Sequence, residues 1–131
     1  MKYTVLLALT CSFLLLPLQA RAVDRQTIDF VIEAHAERIG MDANLAKKIA
    51  WCESGYQEKV VSRTGDRGIY QLNGVHDREL KKLDLDPFNF QENIEFAFIL
   101  MERNGVRDWY SSRHCWSKTA YKPKKVARKL L

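Results

Sequence analysis

The chain has 131 residues, a formal net charge of +5 and a hydrophobic fraction of 47%. This length allows one domain with a modest core, and no internal repeat, low-complexity run or Gly/Ser linker divides it. The three histidines, His35, His76 and His114, are scattered singly, so the sequence has no zinc-ligand spacing and implies no metal or cofactor.

Residues 1–22 have the pattern of a secretory signal peptide. A short positive start precedes an almost wholly apolar run from Thr4 to Leu18, and Ala20-Arg21-Ala22 matches a small-x-small cleavage site. Cys11 lies inside the apolar run, which favours an ordinary signal residue over a lipidation site. We therefore predict a secreted or periplasmic protein with no transmembrane anchor in the mature chain. An exported chain without a known reader motif also argues against a nucleic-acid partner.

Residues 118–131 form a basic C-terminal tail, which leaves residues 23–117 as the predicted domain. Six basic residues and no acidic one occur in this tail: Lys118, Lys122, Lys124, Lys125, Arg128 and Lys129. One interpretation is a solvated, frayed tail. The other is a contact with an anionic polymer or membrane surface, because exposed cations attract such partners.

The first part of the predicted domain has the signals of two helices. Asp24 can cap a helix that ends at Gly40, and Asp42 can cap a second helix that ends near Gly55. Apolar residues follow helical spacing at Ile28, Val31, Ile32, Ile39, Leu45, Ala46, Ile49 and Ala50. Glu53 lies four positions after Ile49 and therefore shares the apolar face of the second helix.

The remainder predicts a loop, a short helix and one strong helix. Residues 56–67 read as loop, and residues 76–83 as a short helix. Asn89 can cap the strong helix, with Glu92 completing a capping box, and Gly105 ends it. Its apolar stripe consists of Phe90, Ile94, Ala97, Phe98 and Met101. Since no two segments alternate as paired strands would, we predict a mostly α fold with at most a small β-loop region between residues 60 and 73.

Glu53 is the candidate for acid chemistry. A carboxyl group on the buried side of a helix end has its charged form disfavoured, which raises its pKa and leaves a proton to donate near neutral pH. Cleavage of a glycosidic bond needs such an acid, because the leaving sugar oxygen must be protonated as the bond breaks. The competing interpretation is an exposed glutamate in the last turn beside Gly55.

Two motifs carry a family resemblance. Cys52-Glu53-Ser54-Gly55, followed by Gly68-Ile69-Tyr70-Gln71-Leu72-Asn73, resembles the Glu-Ser and Gly-Leu-Met-Gln signatures of the lysozyme-like (SLT) lytic transglycosylases. The resemblance covers roughly residues 39–116. It implies a lysozyme-like helical domain that cleaves the β-1,4 bond between N-acetylmuramic acid and N-acetylglucosamine in peptidoglycan, without a cofactor.

The resemblance also assigns site residues. Glu53 corresponds to the single catalytic acid/base, and Ser54 to its hydrogen-bonding neighbour, which is also a substrate-binding candidate. Gln71 corresponds to the glutamine that lines the sugar-binding cleft, and Tyr70 and Asn73 beside it are further substrate-binding candidates. Asn93 and Glu95, in the Asn-Ile-Glu segment, correspond to residues of a helix that supports the site. The alternative is that they lie on an exposed polar face of that helix.

One departure from the family lies downstream. The family's Ala-Tyr-Asn-x-Gly motif, whose tyrosine approaches the glutamate, is absent, and the region reads Trp109-Tyr110-Ser111-Ser112-Arg113-His114-Cys115-Trp116. Trp109, Tyr110 and Trp116 are candidates to stack on sugar rings, or they close the core behind the strong helix.

A second departure concerns Asp66. The stretch from Thr64 to Asn73 also resembles animal c-type lysozymes, in which an aspartate at the place of Asp66 is the second catalytic carboxylate. The alternatives are therefore a transglycosylase with an ordinary loop aspartate and a hydrolase that uses both Glu53 and Asp66.

The cysteine count and the partners complete the sequence-based predictions. Cleavage would leave Cys52 and Cys115, an even pair that suggests one disulfide in an exported chain, against two free buried thiols. Peptidoglycan glycan strands are the expected partner, and by analogy a secretion or conjugation apparatus is a second candidate. The contrasting class is a non-catalytic glycan-binding or secretion-accessory module, which need not have kept Glu53.

Overall fold

Helices make up most of residues 23–118, the part of the chain that the computed structural model describes. The helices are α1 (Arg25–Ile39), α2 (Ala43–Ser54), α3 (Asp77–Leu83), α4 (Phe90–Asn104) and α5 (Arg113–Trp116), with 3₁₀ helices at Gly74–His76 and Arg107–Ser112. This confirms the mostly α prediction. The predicted signal peptide and, apart from Lys118, the basic tail lie outside the described residues.

The predicted helix boundaries of α1 and α2 are confirmed by their caps. The Asp24 carboxylate accepts hydrogen bonds from the backbone N–H groups of Gln26 and Thr27, at 2.9 and 3.0 Å. Asp42 caps α2 in the same way. Gly40 and Gly55 end the two helices in the left-handed region, at φ values of 67° and 60°, which glycine adopts without a steric penalty.

The core forms where α1 packs against α2 and α4. Helix α4 is buried on most of its circumference, because Asn93, Phe96 and Leu100 are buried in addition to most of the predicted stripe. Phe90, by contrast, is only partly buried against the core. The apolar residues of α4 therefore belong to a central helix rather than to a helix with one buried face.

The segment before α3 is the predicted β-loop region. It contains no strand, only isolated antiparallel bridges between Val61 and Arg67 and between Arg67 and Leu72. Arg67 and Leu72 exchange two backbone hydrogen bonds, at 2.9 and 3.1 Å. The resulting tight turn carries Ile69 and Tyr70 into the core and leaves Gln71 half-exposed.

The predicted capping box at α4 is wrong in its second half. Asn89 caps the helix as expected, accepting from the backbone N–H groups of Gln91 and Glu92. The Glu92 carboxylate, however, accepts from the N–H of Asp86 at 2.6 Å and not from that of Asn89. The reason is that the N–H of Asn89 already donates to the Asp86 carbonyl, at 3.0 Å.

Asn93 fastens the β-loop region to α4. Its side chain is fully buried, and its Nδ2 donates to the carbonyls of Arg67 and Pro87, at 3.0 and 2.8 Å. Its Oδ1 accepts from the N–H of Tyr70 at 2.9 Å. Glu95, the other residue of this motif, is exposed, so only Asn93 contacts the segment that carries the second motif.

Cys52 and Cys115 form a disulfide with a Cα–Cα distance of 6.0 Å, which confirms the predicted pair. It joins α2 to α5 across 63 positions of sequence. Chain entropy alone predicts that such a cross-link stabilises the fold by about 4 kcal/mol. Within the described range, no helix is both long enough and apolar enough to span a membrane.

Gly68 gives a stability prediction with a matched control. Both Gly68 and Gly65 have positive φ, at 71° and 88°, but a Cβ on Gly68 would lie 2.4 Å from Asn93 Nδ2 and from the Pro87 carbonyl, whereas one on Gly65 meets nothing within 4 Å. We expect Gly65→Ala to cost about 1–2 kcal/mol of backbone strain. Gly68→Ala should cost clearly more, because it also disrupts the Asn93 hydrogen bonds. Denaturant unfolding of both variants measures the difference, and equal losses would contradict the steric argument.

Candidate active site

A cleft of about 310 Å³ lies between the end of α2, the β-loop region and the second 3₁₀ helix. Its lining residues are Glu53, Asp66, Gln71, Asn73, Val75, His76, Asp108, Trp109 and Ser111. Five of these were named from the sequence as site candidates, and the fold brings them to one opening. Val75, His76, Asp108 and Ser111 carried no motif that would have marked them.

Glu53 reaches the cleft from the last turn of α2. The next residue, Ser54, is buried, and its hydroxyl donates to the Ile69 carbonyl at 2.8 Å. This hydrogen bond connects the first sequence motif to the second. Ser54 therefore acts on the backbone of the β-loop region, and the prediction that it contacts substrate is corrected to a structural role.

The pKa of the Glu53 carboxyl is raised from its ordinary value of 4.5, mainly because burial disfavours the charged form. The Ser112 hydroxyl donates to Glu53 Oε1 and opposes this effect, since a hydrogen bond to the carboxylate lowers the pKa. The negative charge of Asp66 also raises the pKa of Glu53. The balance favours a carboxyl group that retains its proton at higher pH than a free glutamate does.

Ser112 is the contact of Glu53 that sequence analysis missed. It lies in the segment from Trp109 to Trp116, in which the sequence marked only the aromatic residues and Cys115. A signal was available: Cys52 precedes Glu53, and Cys115 follows Ser112 by three positions. The predicted disulfide therefore already implied that this segment reaches the glutamate.

Asp66 is held by its own loop. Its Oδ2 accepts from the hydroxyls of Thr64 and Ser62, at 2.6 and 3.1 Å, and its Oδ1 accepts from Asn73 Nδ2. The hydrogen bond from Thr64 is the largest of several effects that lower the pKa of Asp66. Asp66 thus lines the same cleft as Glu53, with both of its oxygens engaged.

Asn73 and Gln71 lie on the floor of the cleft. Asn73 is occupied at both ends, because its Oδ1 accepts from the N–H of Val75 at 3.0 Å while its Nδ2 donates to Asp66. Gln71 has a φ of 50°, and its Nε2 donates to the Gly68 carbonyl at 2.9 Å. This bond fixes the side chain of Gln71 in the floor of the cleft.

The aromatic residues that were predicted to bind substrate lie in three different environments. Tyr70 has no exposed surface: its hydroxyl donates to the Ala46 carbonyl at 3.1 Å, and its ring packs against Phe98 and Trp109. The prediction that Tyr70 binds substrate is therefore wrong, because its side chain closes the core. Trp109 is 4% exposed and lines the cleft, whereas Tyr110 is 53% exposed and lies outside the lining.

Comparison with known proteins identifies a family for this chain. A model of the transglycosylase SLT domain family matches residues 30–111, more than half of the chain. No curated protein and no solved structure matches the chain significantly. The chain therefore belongs to the transglycosylase SLT domain family, which confirms the resemblance in the two motifs. This membership supports a transglycosylase-type activity on peptidoglycan in general terms.

The raised pKa of Glu53 predicts a pH-dependent cost in stability. Below pH 4.5, the ordinary glutamate value, the group is protonated in both the folded and the unfolded chain, and no cost arises. As pH rises through that value and then through the higher folded pKa, ionisation favours the unfolded chain, so stability is lost. We expect Glu53→Gln to melt at a higher temperature than the unaltered protein at neutral pH, and the difference to vanish below pH 4.5.

The exposed Glu37 supplies the control for this measurement, since Glu37→Gln should change the melting temperature little at either pH. A Glu53→Gln protein that is equally destabilised at both pH values would contradict the burial argument.

Proposed function

We propose that the protein is an exported lytic transglycosylase that cleaves the β-1,4 bond between N-acetylmuramic acid and N-acetylglucosamine with Glu53 as its single acid/base. The observation that carries the proposal is the position of Glu53. In a chain of the SLT family, this half-buried carboxyl with a raised pKa opens onto a cleft lined mainly by polar residues.

The proposed reaction proceeds by two proton transfers. Protonated Glu53 donates its proton to the glycosidic oxygen, the bond from that oxygen to C1 of the muramic acid residue breaks, and positive charge develops at C1. The Glu53 carboxylate then takes the proton of the hydroxyl at C6 of the same sugar as that oxygen bonds to C1. The products are a 1,6-anhydro sugar end and a free hydroxyl on the leaving sugar, and no water is consumed.

The hydrogen bonds of Asp66 favour this reaction over hydrolysis. In a retaining hydrolase, a second carboxylate must approach C1 from the opposite face of the sugar. Both oxygens of Asp66 instead accept hydrogen bonds from Thr64, Ser62 and Asn73. These hydrogen bonds leave lone pairs on the Asp66 oxygens but anchor the carboxylate to its own loop, so we propose that the nucleophile at C1 is the substrate's own hydroxyl, whose attack is intramolecular.

Export is proposed on two grounds. The first 22 residues have the sequence pattern of a cleaved signal peptide, and the Cys52–Cys115 disulfide suits an oxidising compartment. Opening of the cell wall for a secretion or conjugation apparatus is the use we propose for so small a domain, by analogy with the needs of such machines.

The acid assignment is tested with Glu53→Gln. Glutamine is nearly isosteric but cannot transfer the proton, so we expect cleavage of purified peptidoglycan to fall by roughly 10²–10⁴-fold while glycan binding persists. Glu37→Gln, on the exposed side of α1, is the matched control and should retain full activity. A folded Glu53→Gln protein with undiminished activity would refute the role of Glu53, and an unaltered protein that binds but never cleaves would indicate the non-catalytic module.

The choice between the two reactions is tested with Asp66→Asn and product analysis. If Asp66 only shapes its loop, the substitution weakens a few hydrogen bonds, and activity should stay within about tenfold of the unaltered protein. Mass spectrometry of the digest should find mainly 1,6-anhydromuramoyl ends. Reducing ends as the main product, together with a folded but inactive Asp66→Asn protein, would identify a hydrolase.

A further inference from the structure

The hydroxyl of Ser112 has two acceptors within reach and one hydrogen to share between them. Its Oγ contacts Glu53 Oε1, and it also lies 3.0 Å from the carbonyl oxygen of Trp109. A serine hydroxyl donates one hydrogen bond and can accept others. Ser112 can therefore donate to only one of these groups at a time.

The protonation state of Glu53 decides which acceptor Ser112 serves. An ionised carboxylate is an acceptor only, so it takes the hydrogen of Ser112 in a charge-assisted bond, the stronger of the two. A protonated carboxyl can instead donate its own hydrogen to Ser112 Oγ, and the hydroxyl is then free to rotate toward the Trp109 carbonyl. Each state of the acid thus finds a satisfied partner without any movement of heavy atoms.

We propose that Ser112 is a positioning residue that reverses the direction of its hydrogen bond with Glu53 as the acid gives up and regains its proton. This inference rests on the proposed function, in which the same carboxyl is first an acid and then a base. Before the reaction Ser112 Oγ accepts the hydrogen of protonated Glu53, and in the first step this hydrogen turns from Ser112 to the glycosidic oxygen and is transferred. Once that proton has left, Ser112 donates and stabilises the carboxylate that must next accept a proton.

The surroundings hold Ser112 in place for this role. The indole Nε1 of Trp109 donates to the Tyr70 carbonyl at 2.9 Å, which anchors the second 3₁₀ helix to the core. The disulfide holds the segments of Glu53 and Ser112 together, because Cys52 adjoins Glu53 and Cys115 lies three positions after Ser112.

The Trp109 carbonyl does not depend on Ser112. It also accepts from the Trp116 indole Nε1 at 3.1 Å, so it keeps a hydrogen bond when the serine hydroxyl turns to Glu53. A purely structural role at this carbonyl would therefore leave Ser112 replaceable by alanine.

The test is the titration of Glu53 in the free protein, followed by NMR of ¹³C-labelled glutamate carboxyls. Ser112→Ala removes the only hydroxyl that the described residues bring to Glu53. The pKa of Glu53 should therefore be higher in this variant than in the unaltered protein. Ser112→Thr keeps the hydroxyl and should leave the titration near its original position. Ser117→Ala, at an exposed serine past the end of α5, is the matched control and should have no effect.

Kinetics with peptidoglycan fragments supply the second readout. Loss of a hydrogen bond to the newly formed carboxylate should lower kcat in Ser112→Ala by roughly ten- to a hundredfold, with little change in KM. The alkaline limb of the pH profile, where the acid loses its proton, should move to higher pH. Ser112→Thr should restore most of kcat.

The outcomes separate this inference from the proposed function. A Glu53 titration unchanged in folded Ser112→Ala overturns the role of Ser112, whatever the protein cleaves. A shifted titration with unchanged kcat overturns its part in catalysis. If the unaltered protein cleaves no peptidoglycan although the Ser112→Ala titration shifts, the proposed function and the catalytic role fail, and the hydrogen bond between Ser112 and Glu53 stands.

Discussion

The side-chain amide of Asn93 is the interaction on which the floor of the cleft depends. A fully buried amide is tolerated only when its donors and acceptor are satisfied, and leaving one of them unpaired costs about 1–3 kcal/mol. Asn93 meets this requirement through backbone groups of Arg67, Tyr70 and Pro87. The close approach of Gly68 to the same amide means that the turn can only be built with glycine there. One residue of the central helix thereby fixes the segment that presents Gln71 to the cleft.

Glu53 is placed where folding and the proposed chemistry make opposite demands. Burial of its carboxyl raises the pKa, which keeps the proton available for donation but penalises the fold once the group ionises. A more exposed glutamate would stabilise the domain and make a poorer proton donor at neutral pH. The Ser112 hydroxyl moderates this conflict by stabilising the charged form, so the pKa reflects the balance between burial and one hydrogen bond.

Local signals predicted the helices and the position of Glu53, whereas contacts between distant segments, apart from the predicted disulfide, were beyond the sequence. Gly55 and the apolar spacing before it sufficed to place Glu53 at a helix end on the buried face, because helix geometry is set by neighbours a few residues apart. Tyr70 was assigned to substrate because it lies within a motif, but whether a side chain points into the cleft or the core depends on the fold. The prediction for Glu92 failed for a similar reason. Its expected partner, the N–H of Asn89, already donates to the Asp86 carbonyl in the turn before the helix. Ser112 lies 59 positions from Glu53, a separation at which periodicity carries no information.

The disulfide explains how so small a domain can hold the Glu53 carboxyl and the Ser112 hydroxyl at a fixed separation. A hydrogen bond to a carboxyl loses its directional value when its partners drift by about 1 Å, and α5 is a helix of only four residues. The covalent link from Cys52 to Cys115 attaches this helix to the residue beside Glu53. The Trp109 indole attaches the preceding 3₁₀ helix to the β-loop region through Tyr70. Because its segment is held at both ends, Ser112 needs only a rotation of its hydroxyl to serve either protonation state of Glu53, and the proposed reaction then requires no movement of the backbone.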